Sequence, residues 1–490
     1  MVDEFDIISD PKLLDAMAGV QRNTIDIDAC LARNEIGDAD LFAKSYQDKY
    51  IYDWGAGAWF VYTGPYWERD QSEKVRYVIG DVIAAVYLAK AADALSSGNK
   101  GKHKDFAARA NQLMAKKRIT SVLDLARTPL ALPVTWDQTA LVLTVDNGVV
   151  DLESGRLLDA EPNDYFKAHA NSKYDKKAKS PLWEKTVSDM FDGDLEMVGY
   201  VQRLFGYVLS GLANERILPV FYGTGSNGKT VMIETVSAVL GSDYCLSTAA
   251  DTLMETRYSG GEKPSPFVYS LAGKRLVWAN ESKEGQRLDM GLIKVLTGGD
   301  SISARTLYSG NYITFRPTHT AILVTNHLPH VDASDQAAWD RVLPVEFSMR
   351  FVSKPKAHNE KKKITDLKNL LLQEKAGILN WLIQGCIDWQ RHGLNTPAKV
   401  KDSRKEYRDS EDDFTPFCDE CLDTSDRNAE TTARMLYSEY CTWCKINSQS
   451  PMSSTAFGRR MGGMFIKLKA KRPIKYKGVQ LTSTLTGFSL

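Results

Sequence analysis

The chain has 490 residues, 62 basic and 62 acidic side chains and 43% hydrophobic residues, a length that calls for two to four domains and an ordinary soluble composition. Balanced charge removes overall attraction as an argument for a nucleic-acid partner, although a ring or groove needs only a local basic surface. No run of about 18 apolar residues occurs, the N-terminus Met1-Val2-Asp3-Glu4-Phe5-Asp6 is acidic where a secretory signal is basic, and seven cysteines in so long a chain do not make a disulfide scaffold, so a cytoplasmic protein without a membrane partner is expected.

Residues 1–180 read as an N-terminal α+β accessory region. Tyr50 to Gly55 and Ala58 to Tyr62 are strand-like and aromatic-rich, and helical patterns cover Glu73–Leu95 and Asp105–Lys117 across a polar loop. A strand pair is expected at Leu141–Val145 and Gly148–Leu152, turning at Asp146-Asn147. Asp26-x-Asp28 resembles half of a paired-acid metal site, but no partner His and later acid follow in a usable order, so it reads as surface. The Lys/Ser-rich stretch 171–181 reads as a linker, which sets a boundary near residue 180. Helices from Trp183 to Leu212 then make 181–212 a helical linker or oligomerisation segment.

Ile217–Tyr222 is short, apolar and β-prone, and Val231–Leu240 has helical spacing. Between them, Gly223-Thr224-Gly225-Ser226-Asn227-Gly228-Lys229-Thr230 fits GxxxxGK[ST], in the strand–loop–helix context that a phosphate loop needs. Such a loop curls its backbone N–H groups around phosphate oxygens, the lysine meets the β- and γ-phosphates, and the Thr hydroxyl suits Mg²⁺. The expected ligands are ATP and Mg²⁺, with Gly223, Gly225, Ser226, Asn227, Gly228, Lys229 and Thr230 as the ATP-binding residues.

Lys274 to Glu281 is a second apolar strand, ending in a carboxylate that can hold Mg²⁺ together with Thr230 or polarise the attacking water. Thr320 to Asn326 is a third, whose terminal amide can orient water and sense the γ-phosphate; an Asn in the turn before Leu328-Pro329 is the alternative. Arg341 lies just before a further strand, where it can reach a neighbouring subunit's nucleotide or simply form a surface ion pair. Lys229, Glu281, Asn326 and Arg341 are therefore the candidate catalytic set, in a core spanning 213–355, with a helical extension at 356–413.

Residues 414–490 form a last module. Cys418-x-x-Cys421 and Cys441-x-x-Cys444, 19 residues apart, have four-cysteine zinc spacing. Against a metal, Leu436–Cys444 looks like an amphipathic helix and neither pair carries the glycine usual in a thiolate knuckle, so core packing is the other reading. Ser453–Met461 as a helix and Ile466–Leu481 as strands, with Lys467, Lys469, Lys471, Arg472, Lys475 and Lys477, read as a winged-helix-like unit whose wing could grip duplex DNA or as a solvated hairpin.

The succession of Gly-Ser-Asn-Gly-Lys-Thr, the strand ending in Asn280-Glu281, the segment Lys294-Val295-Leu296-Thr297-Gly298-Gly299-Asp300 and Thr325-Asn326-His327-Leu328-Pro329 resembles superfamily 3 helicases. The branch is that of phage and plasmid primase-helicases related to the poxvirus primase-helicase. The resemblance covers most of residues 140 to 490, including Gly377–Trp381 and Glu406-Tyr407-Arg408. It implies an α/β fold with an AAA+ P-loop ATPase core that forms a homo-oligomer, usually a hexameric ring, and moves along single-stranded and forked DNA as it hydrolyses ATP. In that family Glu281 would be the Walker B acid, Asn326 the sensor and Arg341 the arginine finger. Many members carry two adjacent acids at Walker B, whereas here Asn280 stands first. The family's channel hairpin would fall within the stretch Lys294–Arg316, implying DNA contacts from Lys294, Arg305, Tyr308, Tyr312 and Arg316 around a Ser309-Gly310-Asn311 tip. The implied function is a DNA helicase in replication of a phage, plasmid or integrated element, acting in a bacterial host's cytoplasm with priming by a separate primase or polymerase. An ATP-switched origin-binding initiator and a P-loop kinase are the alternatives.

Overall fold

The computed structural model describes residues 24–255, 266–280, 283–305, 312–412, 414–449, 451–468 and 473–482. Glu281, Tyr308, the 309–311 tip and Lys469, Lys471 and Arg472 lie outside the described residues.

Near the N-terminus, β1 (Tyr50–Asp53), β2 (Ala58–Tyr62) and β3 (Trp67–Arg69) form an antiparallel meander beside helices α1 (Asn34–Tyr46), α2 (Ala84–Ser96), α3 (Lys100–Leu113) and α4 (Lys116–Ala126). Phe42, Ile79, Val86, Tyr87 and Leu113 are buried in their shared core. Asp38, fully buried, accepts from Tyr87 Oη at 2.8 Å and Arg109 at 2.9 Å and also pairs with Arg118. A buried carboxylate persists only when matched in this way. Asp26 and Asp28 serve as expected of surface residues: one accepts from Ala29 N at 3.1 Å and the other pairs with Lys102 at 2.7 Å.

The strand pair expected at 141–152 is present as β4 (Val142–Val145) and β5 (Gly148–Asp151), extended by β6 (Arg156–Leu158). Val145 lies opposite Gly148, so Asp146-Asn147 is a two-residue hairpin turn. Core membership does not follow the boundary expected near 180. Leu143, Val145, Val150, Leu152 and Ala170 share one core with α5 (Pro181–Met190) and α6 (Leu195–Ser210). The stretch 171–181, read as a linker from its lysines, is pinned through its backbone. Tyr174 exchanges bonds with the Asn147 side chain at 2.8 and 3.0 Å, and Asn380 donates to Asp175 O at 2.7 Å and Ala178 O at 2.9 Å.

Five parallel strands follow: β7 (Leu218–Tyr222), β8 (Cys245–Ala249), β9 (Leu276–Asn280), then, after the antiparallel hairpin β10 (Ile302–Arg305) and β11 (Tyr312–Phe315), β12 (Thr320–Val324) and β13 (Val342–Glu346). Their order is β13-β7-β12-β9-β8, the fifth, first, fourth, third and second of the set. Four of them are apolar without alternation because both faces are covered, as parallel sheets require. Phe221, Trp278, Ile322 and Val345 face the core built by α5, α6 and α7 (Lys229–Tyr244, interrupted at Gly241). Val220, Val277, Leu323 and Val342 face the other, which takes in α8 (Met290–Leu296), Trp339 of α9 (Gln336–Trp339) and Tyr407.

Helix α10 (Lys375–His392) crosses α6 at a pair of glycines. A Cβ on Gly385 would sit 2.1 Å from Gln202 O, and one on Gly206 2.1 Å from Cys386 N. Backbone cannot yield as a flexible side chain can. Gly385→Ala is therefore expected to destabilise this unit by about 3 kcal/mol or more, read as a lowered unfolding midpoint in calorimetry; an unchanged midpoint would show that the helices can separate freely.

Helix α11 (Ala398–Ser410) runs along β13 and leads to a separate C-terminal core of α12 (Phe414–Cys421), α13 (Ala433–Ile446) and α14 (Ser454–Met464). Strand 430–432 pairs with 475–477, and that with 466–468, in an antiparallel sheet. Cys418, Cys421 and Cys444 are buried in this core beside Phe417 and Trp443, while Cys441 is half-buried. Burial raises the Cys418 thiol to about 12 and the Cys421 thiol to about 11, which disfavours the thiolate that a metal needs. Among the described residues no three His, Cys, Asp or Glu side chains gather as metal ligands.

Candidate nucleotide-binding site

The GxxxxGK[ST] stretch is the turn from β7 into α7, with backbone conformations that only its residue types tolerate. Gly223 has φ 144° and Gly228 φ 89°, and Ser226 is also left-handed at 65°. A Cβ at Gly223 would meet Phe347 O at 2.4 Å, and one at Gly228 would meet Met190 Cε at 2.5 Å. The glycines thus serve close approach as well as rotation. Thr230 is exposed in the first turn of α7, and Thr224 and Gly225 are exposed at the loop's crest.

Lys229 is the centre of the site. It is only 4% exposed, and its ammonium donates to Gly223 O at 2.7 Å, Asn227 Oδ1 at 3.0 Å and Asn326 Oδ1 at 3.3 Å. All three acceptors are neutral. Burial lowers this lysine to about 8. Among the described residues this is a buried cation without a counter-charge, the arrangement an anionic oxygen would complete. Asn227, itself 3% exposed, bridges the lysine to the end of β13 by donating to Phe347 O at 3.2 Å.

Asn326 reaches Lys229 because β12 lies directly beside β7, Val324 pairing with Phe221. The sequence placed Asn326 at a strand end, and the strand order gives that end its meaning. Asn280 ends β9 on the other side of β12, and Glu281 follows it outside the described residues.

Arg341 is not brought to this loop. Val342 pairs with Leu218 and Glu346 with Tyr222, so Arg341 stands at the opposite end of the sheet, roughly 16 Å along the strand. There its guanidinium donates to Thr297 Oγ1 at 3.1 Å and Ala337 O at 2.6 Å. Lys294 is paired with Asp335 at 2.7 Å. Arg305 and Tyr312 are opposite each other at the last register of the β10–β11 hairpin, and Arg316 is exposed just past it. In the C-terminal unit, Lys475 is paired with Glu430 at 3.0 Å.

A cleft of about 1040 Å³ opens beside the loop, lined by Met190, Ser226, Gly228, Val231, Phe351 and Leu367 among others. Its apolar wall can take a planar base next to a bound phosphate chain. Sequence reading missed Met190 and Phe351, which lie far from the motif and carry no pattern of their own. The residues present fit a nucleotide: an uncompensated lysine for the phosphates and an apolar cleft for the base. Thr230 would hold the metal, which would supply charge neutralisation at the phosphates.

An anion that restores the Lys229 charge raises its pKa on binding. The affinity of a nucleotide bound there would be level below about pH 8 and fall by about tenfold per unit above it, with an expected uptake of about one proton near pH 9 and little near pH 7. Calorimetry in buffers of different ionisation enthalpy reads this directly, and equal uptake at both values would contradict the burial argument.

Residues 39–192 match the family described as D5 N terminal like. The chain is 26% identical over 441 residues to "Putative helicase L207/L206" of Acanthamoeba polyphaga mimivirus, covering 84% of this chain and 45% of that protein. It is 28% identical over 243 residues to "Putative helicase 022R" of Frog virus 3, covering 48% of this chain and 25% of that protein. For "Putative primase C962R" of African swine fever virus the figures are 24% over 244 residues, 47% and 24%. The chain spans less than half the length of these curated relatives. Among solved structures, the apo A form of the NrS-1 C-terminal region aligns over 88% of this chain and 96% of its own length, with a TM-score of 0.50 and 11% identity, a likeness of fold. The chain is thus similar to proteins named as helicases and primases of large DNA viruses, as the motif order implied. No described helix is long and apolar enough to cross a membrane.

Proposed function

We propose that this chain, with its D5 N-terminal-like region and its viral helicase and primase relatives, is the ATPase motor of a superfamily 3 DNA helicase. The observation that carries the reading is the buried Lys229, whose partners among the described residues are neutral oxygens of Gly223, Asn227 and Asn326. ATP would complete its charge, with Mg²⁺ at Thr230 and Glu281. Asn326, one strand away, is positioned to orient the attacking water and to register loss of the γ-phosphate.

The strand order supports an AAA+ core, because inserting β12 between β7 and β9 is what sets a polar sensor beside the phosphate loop. The distance of Arg341 from its own loop supports a role across a subunit boundary, hence a closed ring, by family resemblance a hexamer. The β10–β11 hairpin supports a DNA contact through Arg305, Tyr308, Tyr312 and Arg316, while the pairing of Lys294 with Asp335 favours a structural role for that lysine. In the C-terminal core a helix and two short strands precede two helices and three strands, and the antiparallel sheet that follows the second and third helices supports a winged-helix-like DNA-binding module. A separate primase or polymerase would supply primers.

The test is ATP-dependent displacement of a labelled strand from a forked DNA, with Lys229→Ala alongside and oligomer mass recorded. Displacement by the unaltered chain alone is expected. ATP hydrolysis and DNA binding without displacement would overturn the motor in favour of an ATP-switched initiator.

A further inference from the structure

The N-terminal unit holds a second cleft, of about 390 Å³, between the β1–β2 turn, β3 and α4. Tyr52 and Trp59 line it with ring centroids 5.1 Å apart. Trp54 stands edge-on to Tyr52 at 4.9 Å and is 59% exposed. Arg127 lies over the Tyr52 ring, 4.9 Å from its centroid, and Arg69 and Arg76 complete the lining.

The carboxylates around this cleft are already engaged. Asp70 accepts from the amides of Lys74 and Val75 at 2.9 and 2.8 Å; Glu73 pairs with Arg76 at 2.5 Å and Asp124 with Arg127 at 2.9 Å. Arg69 is exposed and has no side-chain partner among the described residues, and Arg127 Nε is buried without one. One free guanidinium, Arg69, therefore sits beside a cleft walled by the half-buried Trp59, with the exposed Trp54 close by its Tyr52 wall. That combination suits a nucleobase with its phosphate: a flat π-face to stack on and directed N–H groups for anionic oxygen. The volume is at the low end for ligand sites, suited to one nucleotide unit.

We propose that this cleft holds one nucleotide of a single strand, its base against Trp59 and the exposed Trp54 and its phosphate on Arg69. The lining carries as many acids as bases, so a lone nucleotide gains little there. A strand already held elsewhere on the chain enters at high effective concentration. The site is thus a guide for a strand, and it rests on the DNA-binding part of the proposed function but not on its ATPase part.

The test uses the full chain without nucleotide, photocrosslinked to oligothymidylate carrying iododeoxyuridine, with adducts mapped by mass spectrometry. An adduct on Trp54 or Trp59 is expected. Arg69→Ala keeps both acceptors and should lower that adduct about tenfold while leaving adducts elsewhere and the melting midpoint unchanged. Unlabelled strand should compete, and AMP at equal nucleotide concentration should not. Absence of an adduct in residues 50–76, indifference to Arg69→Ala, or equal competition by AMP would each overturn the proposal.

Discussion

Lys229→Ala is expected to lower ATP turnover by about 10²–10³-fold or more without unfolding the chain. The ammonium is buried and its three acceptors are neutral, so in the empty loop it is a charge held out of water for little return. Its value arises when negative charge develops on transferring phosphate, where a fixed cation in a dry site acts most strongly. Removing it takes away that stabilisation and leaves three acceptors, of which those of Gly223 and Asn326 stand on partly or fully exposed residues and that of Asn227 is buried. The melting midpoint should hold or rise, and the loss should be in turnover. Full hydrolysis by the variant would remove the phosphate assignment altogether.

Arg341→Ala should reduce hydrolysis by about 10³-fold while nucleotide binding survives, as for an arginine that acts only on the transition state. Geometry makes this distinguishable from damage. The residue stands at the far end of β13 from its own loop, so any nucleotide it acts on would belong to another copy. Mixing Arg341→Ala with Lys229→Ala protein should then recover part of the activity, since some boundaries will join an intact lysine to an intact arginine. No recovery, with both variants folded and assembled, would reduce Arg341 to its visible bonds with Thr297 and Ala337.

The turn from β7 into α7 was legible in the sequence because its signal is local: glycines, lysine and threonine at fixed spacing between a strand and a helix. The β4–β5 hairpin was legible for a similar reason, a two-residue turn between apolar runs. Strand order was not, since nothing in Thr320–Asn326 says that it will lie beside Leu218–Tyr222. That adjacency is what brings Asn326 to Lys229. The stretch 171–181 misled because lysine and serine content describes side chains, whereas Tyr174, Asp175 and Ala178 are held through backbone groups by Asn147 and Asn380. The Gly206–Gly385 crossing was equally invisible, because a glycine reads as a breaker until its neighbour 179 residues away is known.

Lys229 also ties the endurance of the fold to its occupancy. The unfolded chain keeps this proton up to about 10.5 and the folded chain only to about 8, so the unfolded state binds more protons between these values and stability rises with pH across the window. Below about 8 the penalty is present in full. A bound polyanion relieves it, and that relief is contained in the mass-action stabilisation of any ligand that prefers the native state, about 2.7 kcal/mol at a hundredfold excess over its dissociation constant. Lys229 is in this sense a spring already compressed, and ligand binding should register as heat resistance before any bond is broken.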